Sequence, residues 1–526
     1  MGWKANVLLR VNTLVRKIFR KGLTVLWYQI GGKNLKELDQ QRTTAFFQQQ
    51  FRGIGQEIKK WFQQKDWQDI GFKWSFFIFL IAVGVLIRLL FAYSFRVNYA
   101  VSNLEIVWNR VIMLNPNNVP LEGYMDFDYY YVSWVKGWYE DGWYPFSDWH
   151  LAENSTNPLY YYSYPPFFLY ILLSFWRLGR IYLYIALPLI ITDAACAGMV
   201  FLIIYKALAS SKRHFFATGG GLLMAFAPIN IIYNGVYWLN TGPVALFTLI
   251  ALYFVLENKW RHVVFWLAIA TLTKQNALFL TYPLFMVMLG KKVRKTTVRK
   301  ALFESGMIVM YFLGIVFLGS IPWLFITPLY YGVHLLFPGK MLSLSTTILL
   351  PDKAEPVTFS FAMKFLGIKG AILDGIAFGI NSMFLMILSA NVLAIPLLWR
   401  SFRGKNDSTE LFSIVAIYMI TTHIFMPKGT FKFYSAYFTP EILLAILLLL
   451  GNLGKRSFSE PIILAVIYSL FISVNLWLVI INRHLTPVLL FFVAVILTLL
   501  IISRNVILAI NNRQRKMVKV KLPEFS

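Results

Sequence analysis

Apolar stretches long enough to cross a lipid bilayer recur along this chain from Trp74 to Ile502. A helix needs about 20 predominantly apolar residues to span the hydrocarbon core, where every backbone hydrogen bond must be satisfied internally. The composition agrees, because 58% of the 526 residues are hydrophobic and 14% are charged, whereas about a quarter of a soluble domain is charged. The sequence therefore predicts an all-α polytopic membrane protein.

The basic residues indicate the orientation of the chain in the membrane. The formal net charge is +26, and lysines and arginines cluster in short segments between apolar runs, as at Lys206–Arg213 and in "KKVRKTTVRK" at 291–300. Cytoplasmic loops carry such an excess, so the pattern argues against a nucleic-acid partner. Placing every basic cluster on one side gives about 12 transmembrane helices with both termini cytoplasmic. "PPFFLYILLSFW" at 165–176 is then a helix at the outer surface rather than a span.

The same assignment divides the chain into five segments. They are a cytoplasmic, amphipathic and basic segment at 1–72, a transmembrane module at 73–326 with a long external loop at 97–180, an external loop at 327–374, a second transmembrane module at 375–503, and a basic cytoplasmic tail at 504–526. Two apolar runs, at 262–273 and 276–290, are too short to span fully. A backbone broken at membrane depth must be buried in protein or line a cavity.

The first external loop carries an unusual share of the acidic residues. Eight of the 24 lie between Glu105 and Glu153. Asp126 and Asp128 are two positions apart, so in an extended loop they would share a face. Paired carboxylates provide a general base or two oxygen ligands for a hard divalent cation. The alternative is that they are solvated acids of an external loop.

Aromatic side chains follow these acids directly, from Tyr129 through Trp134 to Tyr144. Such rings form interfacial belts at the membrane surface. Rings beside carboxylates also make a sugar site, because the rings stack on the apolar faces of pyranoses while the acids take the hydroxyl groups. Pro165 and Pro166 then fix the chain direction before the next apolar run.

Several motifs resemble those of one enzyme family. "DFDY" at 126–129 and "YSYPPFFLY" at 162–170 resemble the first lumenal loop of the GT-C glycosyltransferases, which take a sugar from a polyprenyl phosphate. The D-x-D-Y form is similar to that of the first mannosyltransferase of glycosylphosphatidylinositol assembly. "APINIIYNGVYWLNTGPVALFTLIALYF" at 227–254, "TLTKQNALFLTYP" at 271–283 and Asp193 in "ITDAACA" are similar to elements of the glucosyltransferases that extend dolichol-linked oligosaccharide. The likeness covers about 120–290. The histidine of the family's "GHFQYN" motif and its late "HE" signature are both absent here.

The resemblance implies a GT-C-like bundle that transfers mannose or glucose to a lipid-linked or extracytoplasmic acceptor. Asp126 and Asp128 are then the predicted catalytic pair, with Asp126 favoured as the base and a divalent cation as the one cofactor that the pair would hold. A cation should meet the leaving phosphate. The predicted phosphate-binding residues are Lys428, Lys432 and Lys274, and the predicted substrate-binding residues are Tyr129, Trp134, Tyr164, Trp238 and Gln275.

Each of these lysines has a simpler interpretation. Lys274 would extend to the lipid headgroups, as long basic side chains do, and Lys428 and Lys432 would contact headgroups at a span end. Arg88 lies within the first apolar run, and we expect it to pair with an inner acid such as Asp193, because intramembrane charges usually pair. His423 and His484 have no partners at ligand spacing, so we predict no metal there.

Two other functions fit part of the pattern. A transporter or flippase of lipid-linked sugar is the main alternative, although transporters keep ionisable groups near the midplane and show repeat symmetry. A scaffold that binds lipid-linked sugar without chemistry is the third. For the enzyme, the predicted location is the inner membrane of a prokaryote or the endoplasmic reticulum of a eukaryote, with the site on the non-cytoplasmic face.

Overall fold

The computed structural model describes the following residues: 67–97, 105–106, 126–145, 162, 164–208, 210–326, 328, 331, 359–381, 384–404, 408–425, 432–453, 460–481 and 483–520. Predictions that lie outside them are the amphipathic amino-terminal segment, most of the external loop at 327–374, and Lys428. The chain divides into two units, Met1–Phe72 and Lys73–Ser526. The five predicted segment boundaries stay predictions.

Helices account for nearly all of the described residues in the first part of the chain. They are α1 (Trp67–Phe95), α2 (Val132–Asp141), α3 (Pro166–Trp176), α4 (Tyr182–Ala207), α5 (Ser210–Ala225), α6 (Thr241–Leu256), α7 (Trp260–Thr273), α8 (Leu278–Lys295) and α9 (Val298–Ile326). The strands β1 (Arg96–Val97) and β2 (Glu105–Ile106) form a short antiparallel pair in which Arg96 is opposite Ile106. The all-α class is therefore correct.

The later part of the chain is also helical where it is described. Its helices are α10 (Phe359–Phe365), α11 (Ala371–Asn381), α12 (Phe384–Phe402), α13 (Ser408–Ile424), α14 (Tyr434–Leu453), α15 (Glu460–Ile480) and α16 (Thr486–Val520). They pack against helices of the first part, since α12 contacts α8 and α14 contacts α6.

Six helices among the described residues are long and apolar enough to cross a membrane. They span Asp69–Phe95, Tyr182–Ala207, Arg213–Val236, Val298–Ile326, Tyr434–Gly451 and Thr486–Val506. Shorter apolar helices accompany them, including Pro166–Trp176, which matches the predicted short helix after the proline pair. This is the architecture of an all-α integral membrane protein. The number of about 12 spans stays a prediction.

The spanning helices differ in how much of their surface the protein covers. In α4, 83% of the apolar window is buried, against 22% in α1 and 17% in α9. Leu86 and Leu90 on α1 and Phe317 on α9 are more than half exposed. Apolar side chains of this kind suit lipid rather than water, so α1 and α9 present a face to the bilayer while α4 lies in the interior.

A buried ion pair joins α1 to α4, as the sequence predicted. Arg88 Nε lies 2.5 Å from Asp193 Oδ2, and both side chains are fully buried. The other carboxylate oxygen, Oδ1, accepts hydrogen bonds from the amides of Asn230 at 2.8 Å and Asn234 at 2.7 Å. Thr241 in turn donates to Asn234 Oδ1 at 2.5 Å. A charge that leaves water needs such partners, and Arg88, Asn230 and Asn234 together satisfy both oxygens of Asp193.

Candidate functional site

The acidic pair lies on a helical segment rather than on extended chain. Asp126–Tyr131 forms a π-helical turn that leads into α2, and α2 ends at Gly142, whose φ of +66° is left-handed. Residues two apart on a helix do not face each other. The expectation of an extended loop with Asp126 and Asp128 on one face was therefore wrong.

Packed rings hold this turn in place. Phe127 and Tyr131 are buried, while Asp126 and Asp128 on either side of Phe127 are only partly buried. The Phe127 ring meets the Trp238 ring edge-on at 4.8 Å, and the Tyr131 ring meets Phe168 at 5.0 Å. Edge-to-face pairs at such distances add stability beyond area burial. Burial of the two rings explains why a segment rich in β-forming aromatics adopts a helical turn.

Trp238 adopts a backbone conformation that bulky residues avoid. Its φ is +59°, and its side chain is fully buried. A bulky side chain in the left-handed region is strained, and such strain occurs mostly at functional sites. The strained backbone places the indole against the Phe127 ring. Trp238, which the sequence predicted as a substrate-binding residue, therefore packs against the acidic turn.

Asp126 lies in an electrostatic environment that changes its acidity. Burial of its carboxyl group raises its pKa to about 6, and the positive charge of Lys274 partly offsets that rise. The carboxyl group keeps some exposed surface, yet the surrounding protein removes most of its hydration. A carboxyl group with a pKa near the working pH serves well as a general base.

Lys274 occupies the break between α7 and α8, as the two short apolar runs predicted. The chain leaves α7 in an extended conformation at Lys274 and turns through the 3₁₀ segment Gln275–Ala277 into α8. The Lys274 side chain is buried, and its ammonium group donates to Asn240 Oδ1 at 2.8 Å. It therefore does not extend to the lipid headgroups as the simpler interpretation expected.

Aromatic rings surround the Lys274 ammonium group. Its Nζ lies 4.5 Å from the centre of the Tyr434 ring and 5.2 Å from that of Phe433, both from the segment that begins α14. The Tyr164 ring is 5.8 Å away. Ring faces attract a cation, more so where water is excluded. The rings keep the charge of Lys274 inside the protein without neutralising it.

Two tyrosines connect Asp126 to this cation. Burial raises the pKa of Tyr164, and the negative charge of Asp126 raises it further. Burial and then the charge of Tyr164 raise the pKa of Tyr131. Asn240 lowers the pKa of both tyrosines, so the three residues lie close together. We call the group formed by Asp126, Tyr131, Tyr164, Asn240 and Lys274 the acid–lysine pocket.

The structure thus brings together some of the predicted residues and separates others. Asp126, Tyr164 and Lys274 share the acid–lysine pocket, and Gln275 is buried in the adjoining turn. Trp134 is buried among aromatic rings, with Tyr162 at 4.9 Å, while Tyr129 is 38% exposed on the other side of the turn.

Lys432 points elsewhere. Its ammonium group is buried and donates to the Val479 carbonyl at 2.9 Å. This bond joins the start of α14 to the end of α15. The predicted role of Lys432 at a phosphate stays a prediction.

The sequence did not single out Tyr131 or Asn240 of this pocket, nor Tyr434, whose ring lies against the Lys274 ammonium group. Asn240 precedes α6, where an asparagine ordinarily caps a helix, and Tyr434 lies far along the chain among many other aromatics. A metal site could have been recognised in the sequence only from the spacing of its histidine and acidic residues. Within the described part of the chain, no group of three or more His, Cys, Asp or Glu side chains is placed to hold one.

An apolar groove begins near the same turn. Its volume is about 460 Å³, and it lies between α7, α8 and α9. The lining residues are Trp260, Val263, Val264, Leu267, Leu278, Thr281, Tyr282, Leu284, Phe285, Met288, Ile308, Val309, Phe312 and Leu313. Leu278 lies four positions after Lys274, so one end of the groove is close to the turn that carries this lysine.

Searches for similar proteins give no match to any protein-family model, curated protein or solved structure.

Proposed function

We propose that this protein is an integral membrane glycosyltransferase that moves a hexose, mannose or glucose, from a polyprenyl phosphate to an acceptor hydroxyl group. The acceptor is lipid-linked or extracytoplasmic, and the fold is a GT-C-like bundle of about 12 transmembrane helices with the site on the non-cytoplasmic face. One observation carries the proposal: the positive charge of the buried Lys274 lies close enough to Asp126 to lower the pKa of its carboxyl group. A transfer of this kind needs a base for the attacking hydroxyl group and a cation for the leaving phosphate.

Asp126 acts as the base in this reaction. Its carboxylate takes the proton of the acceptor hydroxyl group while that oxygen forms a bond to the anomeric carbon. The bond from the anomeric carbon to the phosphate oxygen breaks, and its electron pair leaves with the phosphate. This is one displacement with inversion. A pKa of about 6 leaves Asp126 mostly ionised at neutral pH, yet makes it a stronger base than an ordinary aspartate.

Lys274 stabilises the negative charge that builds on the leaving phosphate. A preorganised cation in a pocket with little water does this better than a solvated one, because no solvent must reorganise as the charge develops. Asp128 orients the acceptor, and the rings of Tyr129 and Tyr164 offer faces to the sugar. Lys428 and Lys432 remain as further predicted contacts of the donor.

The apolar groove supports a lipid donor. It is lined almost wholly by aliphatic and aromatic side chains, and one lining residue, Leu278, lies four positions after Lys274. A polyprenyl chain has the matching chemistry: a linear run of apolar, methyl-branched isoprene units that ends in a phosphate. The chain would lie in the groove, with its phosphate towards the Lys274 turn.

The test is transfer by the purified protein in lipid vesicles. Short-chain polyprenyl phosphates carrying radiolabelled mannose or glucose are supplied with lipid and glycan acceptors, and label in the acceptor is measured. We expect transfer that Asp126→Asn abolishes. Label that crosses the bilayer on intact donor would instead support the flippase, and donor binding with neither outcome would support the scaffold. Activity lost with EDTA and restored by a divalent ion would assign a cation to Asp126 and Asp128.

A further inference from the structure

Asn240 occupies a position from which asparagine normally stabilises a helix. It is the residue before α6, and at such positions the side-chain oxygen accepts a hydrogen bond from a backbone N–H of the first turn. Within the described residues of α6, no such bond to the Asn240 side chain is formed. The oxygen accepts from the Lys274 ammonium group at 2.8 Å instead. Asn240 gives up a capping bond that would stabilise the helix and directs its amide oxygen at a buried cation.

The other groups of Asn240 face the same pocket. Its backbone N–H faces Tyr131 and its side-chain amide faces Tyr164, and each lowers the pKa of that tyrosine. Asn240 is fully buried. A single residue therefore accepts a hydrogen bond from Lys274 and lies next to both tyrosines of the acid–lysine pocket.

The turn that carries Lys274 is fixed from its opposite side. Asn276 Nδ2 lies 3.1 Å from His423 Nε2, and His423 Nδ1 lies 2.7 Å from the Met419 carbonyl oxygen. Since Nδ1 must carry the proton to bond a carbonyl, Nε2 accepts from the Asn276 amide. The backbone of the turn is thus tied to α13, which leaves the Lys274 side chain as the part that Asn240 orients.

We propose that Asn240 is a positioning residue, which acts by holding the Lys274 ammonium group in place for the phosphate of a polyprenyl phosphate. A lysine side chain has four rotatable bonds and loses much rotamer freedom when it is fixed. Asn240 removes most of this freedom before the ligand arrives. The inference rests on the proposed function for the identity of the ligand, but binding of the lipid phosphate is measured without any transfer.

The experiment is a double-mutant cycle on the full-length protein in lipid nanodiscs, with farnesyl phosphate as the probe. Lys274→Met should weaken its binding roughly tenfold or more, since it removes a charge-assisted contact. Asn240→Leu should weaken binding severalfold in the wild-type background and have no further effect in the Lys274→Met background. Residues that act through one contact are coupled in this way, whereas independent residues give additive effects.

Matched variants separate positioning from damage to the fold. Asn475→Leu makes the same change at a buried asparagine of α15, whose amide donates to its own helix at Phe471, and it should leave binding unchanged. If Asn240→Leu does not fold, Asn240→Ala replaces it in the cycle. Alanine also removes the oxygen that accepts from Lys274, so binding should again weaken only when Lys274 is present.

The results distinguish this inference from the proposed function. Coupled weakening without hexose transfer would remove the glycosyltransferase and keep the positioning role. Hexose transfer together with additive effects of the Asn240 and Lys274 substitutions would keep the glycosyltransferase and remove the positioning role. Wild-type protein that fails to bind farnesyl phosphate would overturn the positioning role outright.

Discussion

Two of the pairs of opposite charges among the described residues, Arg88 with Asp193 and Lys274 with Asp126, differ in how their remaining polar atoms are used. The Arg88–Asp193 pair is fully buried between α1 and α4, and both oxygens of Asp193 accept hydrogen bonds from neighbouring side chains. In the acid–lysine pocket, Asp126 stays partly exposed and Lys274 is bonded to a neutral amide rather than to the acid.

The difference separates a structural charge from a chemical one. Each hydrogen bond to Asp193 lowers the energy of its ionised form and leaves no oxygen for a substrate. Burial removes hydration from the Asp126 carboxyl group, and the charge of Lys274 offsets only part of this loss. The pKa of Asp126 therefore rises to about 6, which makes its carboxylate a better base. The first pair joins two helices, whereas the second has the acidity that the proposed transfer would use. Four measurements test this contrast.

The largest expected effect is on turnover at Asp126. Asp126→Asn keeps the size of the side chain but cannot take a proton, so turnover should fall by about 10²–10⁴, or roughly 3–5 kcal/mol in the barrier. Steady-state kinetics with saturating donor measure it. Asp141→Asn, on the exposed end of α2, is the control and should be near wild type. Retention of more than about a tenth of the activity at Asp126→Asn would place the base elsewhere.

Loss of one member of the structural pair should act on stability. Arg88→Met leaves Asp193 buried without its cation, which costs roughly 3–5 kcal/mol. Thermal or denaturant unfolding in detergent measures the loss. Removing both charges, as in Arg88→Met with Asp193→Leu, should cost less than the single change. A double variant that is less stable than Arg88→Met would contradict the interpretation of Arg88 and Asp193 as a purely structural pair.

A smaller effect is expected where a helix approaches Asp193 closely. A Cβ at Gly242 would lie 2.8 Å from the Asp193 Cβ and 2.9 Å from the Leu189 carbonyl oxygen. Gly242→Ala should therefore destabilise the protein by about 1–3 kcal/mol through overpacking. Gly306→Ala on α9, where a Cβ meets nothing within 4 Å, is the matched control. It should be neutral or slightly stabilising, because alanine favours helix; equal unfolding temperatures for the two variants would contradict the close approach.

The last prediction concerns how turnover and stability depend on pH through the Asp126 carboxyl group alone. Turnover should fall as pH drops through about 6, since protonation removes the base, and should be about tenfold below its plateau one pH unit lower. Stability should change in the opposite direction. The folded state binds this proton more tightly than the unfolded chain, so between about pH 7 and pH 4 acidification adds stability from this group.

A comparison with Asp126→Asn isolates both contributions. Profiles of kcat/KM and of Tm against pH for the two proteins measure the difference. A wild-type acid limb near pH 4, the range of an ordinary aspartate, would show that the carboxyl group is hydrated in the working protein.

The sequence predicted those features that depend on charge within apolar runs. Arg88 and Asp193 are rare charges in spanning segments, so their pairing followed from the cost of leaving either alone. The break at Lys274 followed from two runs too short to span. The helical turn at Asp126 was not predicted from the sequence. "DFDYYY" favours a strand locally, and the packing of Phe127 against Trp238 overrides this preference.

Asn240 and Tyr434 escaped prediction for a different reason. Neither has a charge or a spacing that distinguishes it from many similar residues in the chain. Their role depends on contacts with Lys274, which is 34 positions from Asn240 and much farther from Tyr434. Neutral residues that meet through tertiary packing leave no periodic pattern in a sequence.

The Arg88–Asp193 bond also constrains biogenesis. The two residues are 105 positions apart, so at about 5–20 residues per second the ribosome adds Asp193 roughly 5–20 s after Arg88. During that interval α1 carries an arginine with no acid, at an insertion cost of about 2.5–3.5 kcal/mol. Its mean hydropathy of 2.6, the second highest among the candidate spans, offsets that cost. The helix that can carry an unpaired charge, α1, therefore enters the membrane first. When α4 enters, Arg88 is already in the membrane and can pair with Asp193.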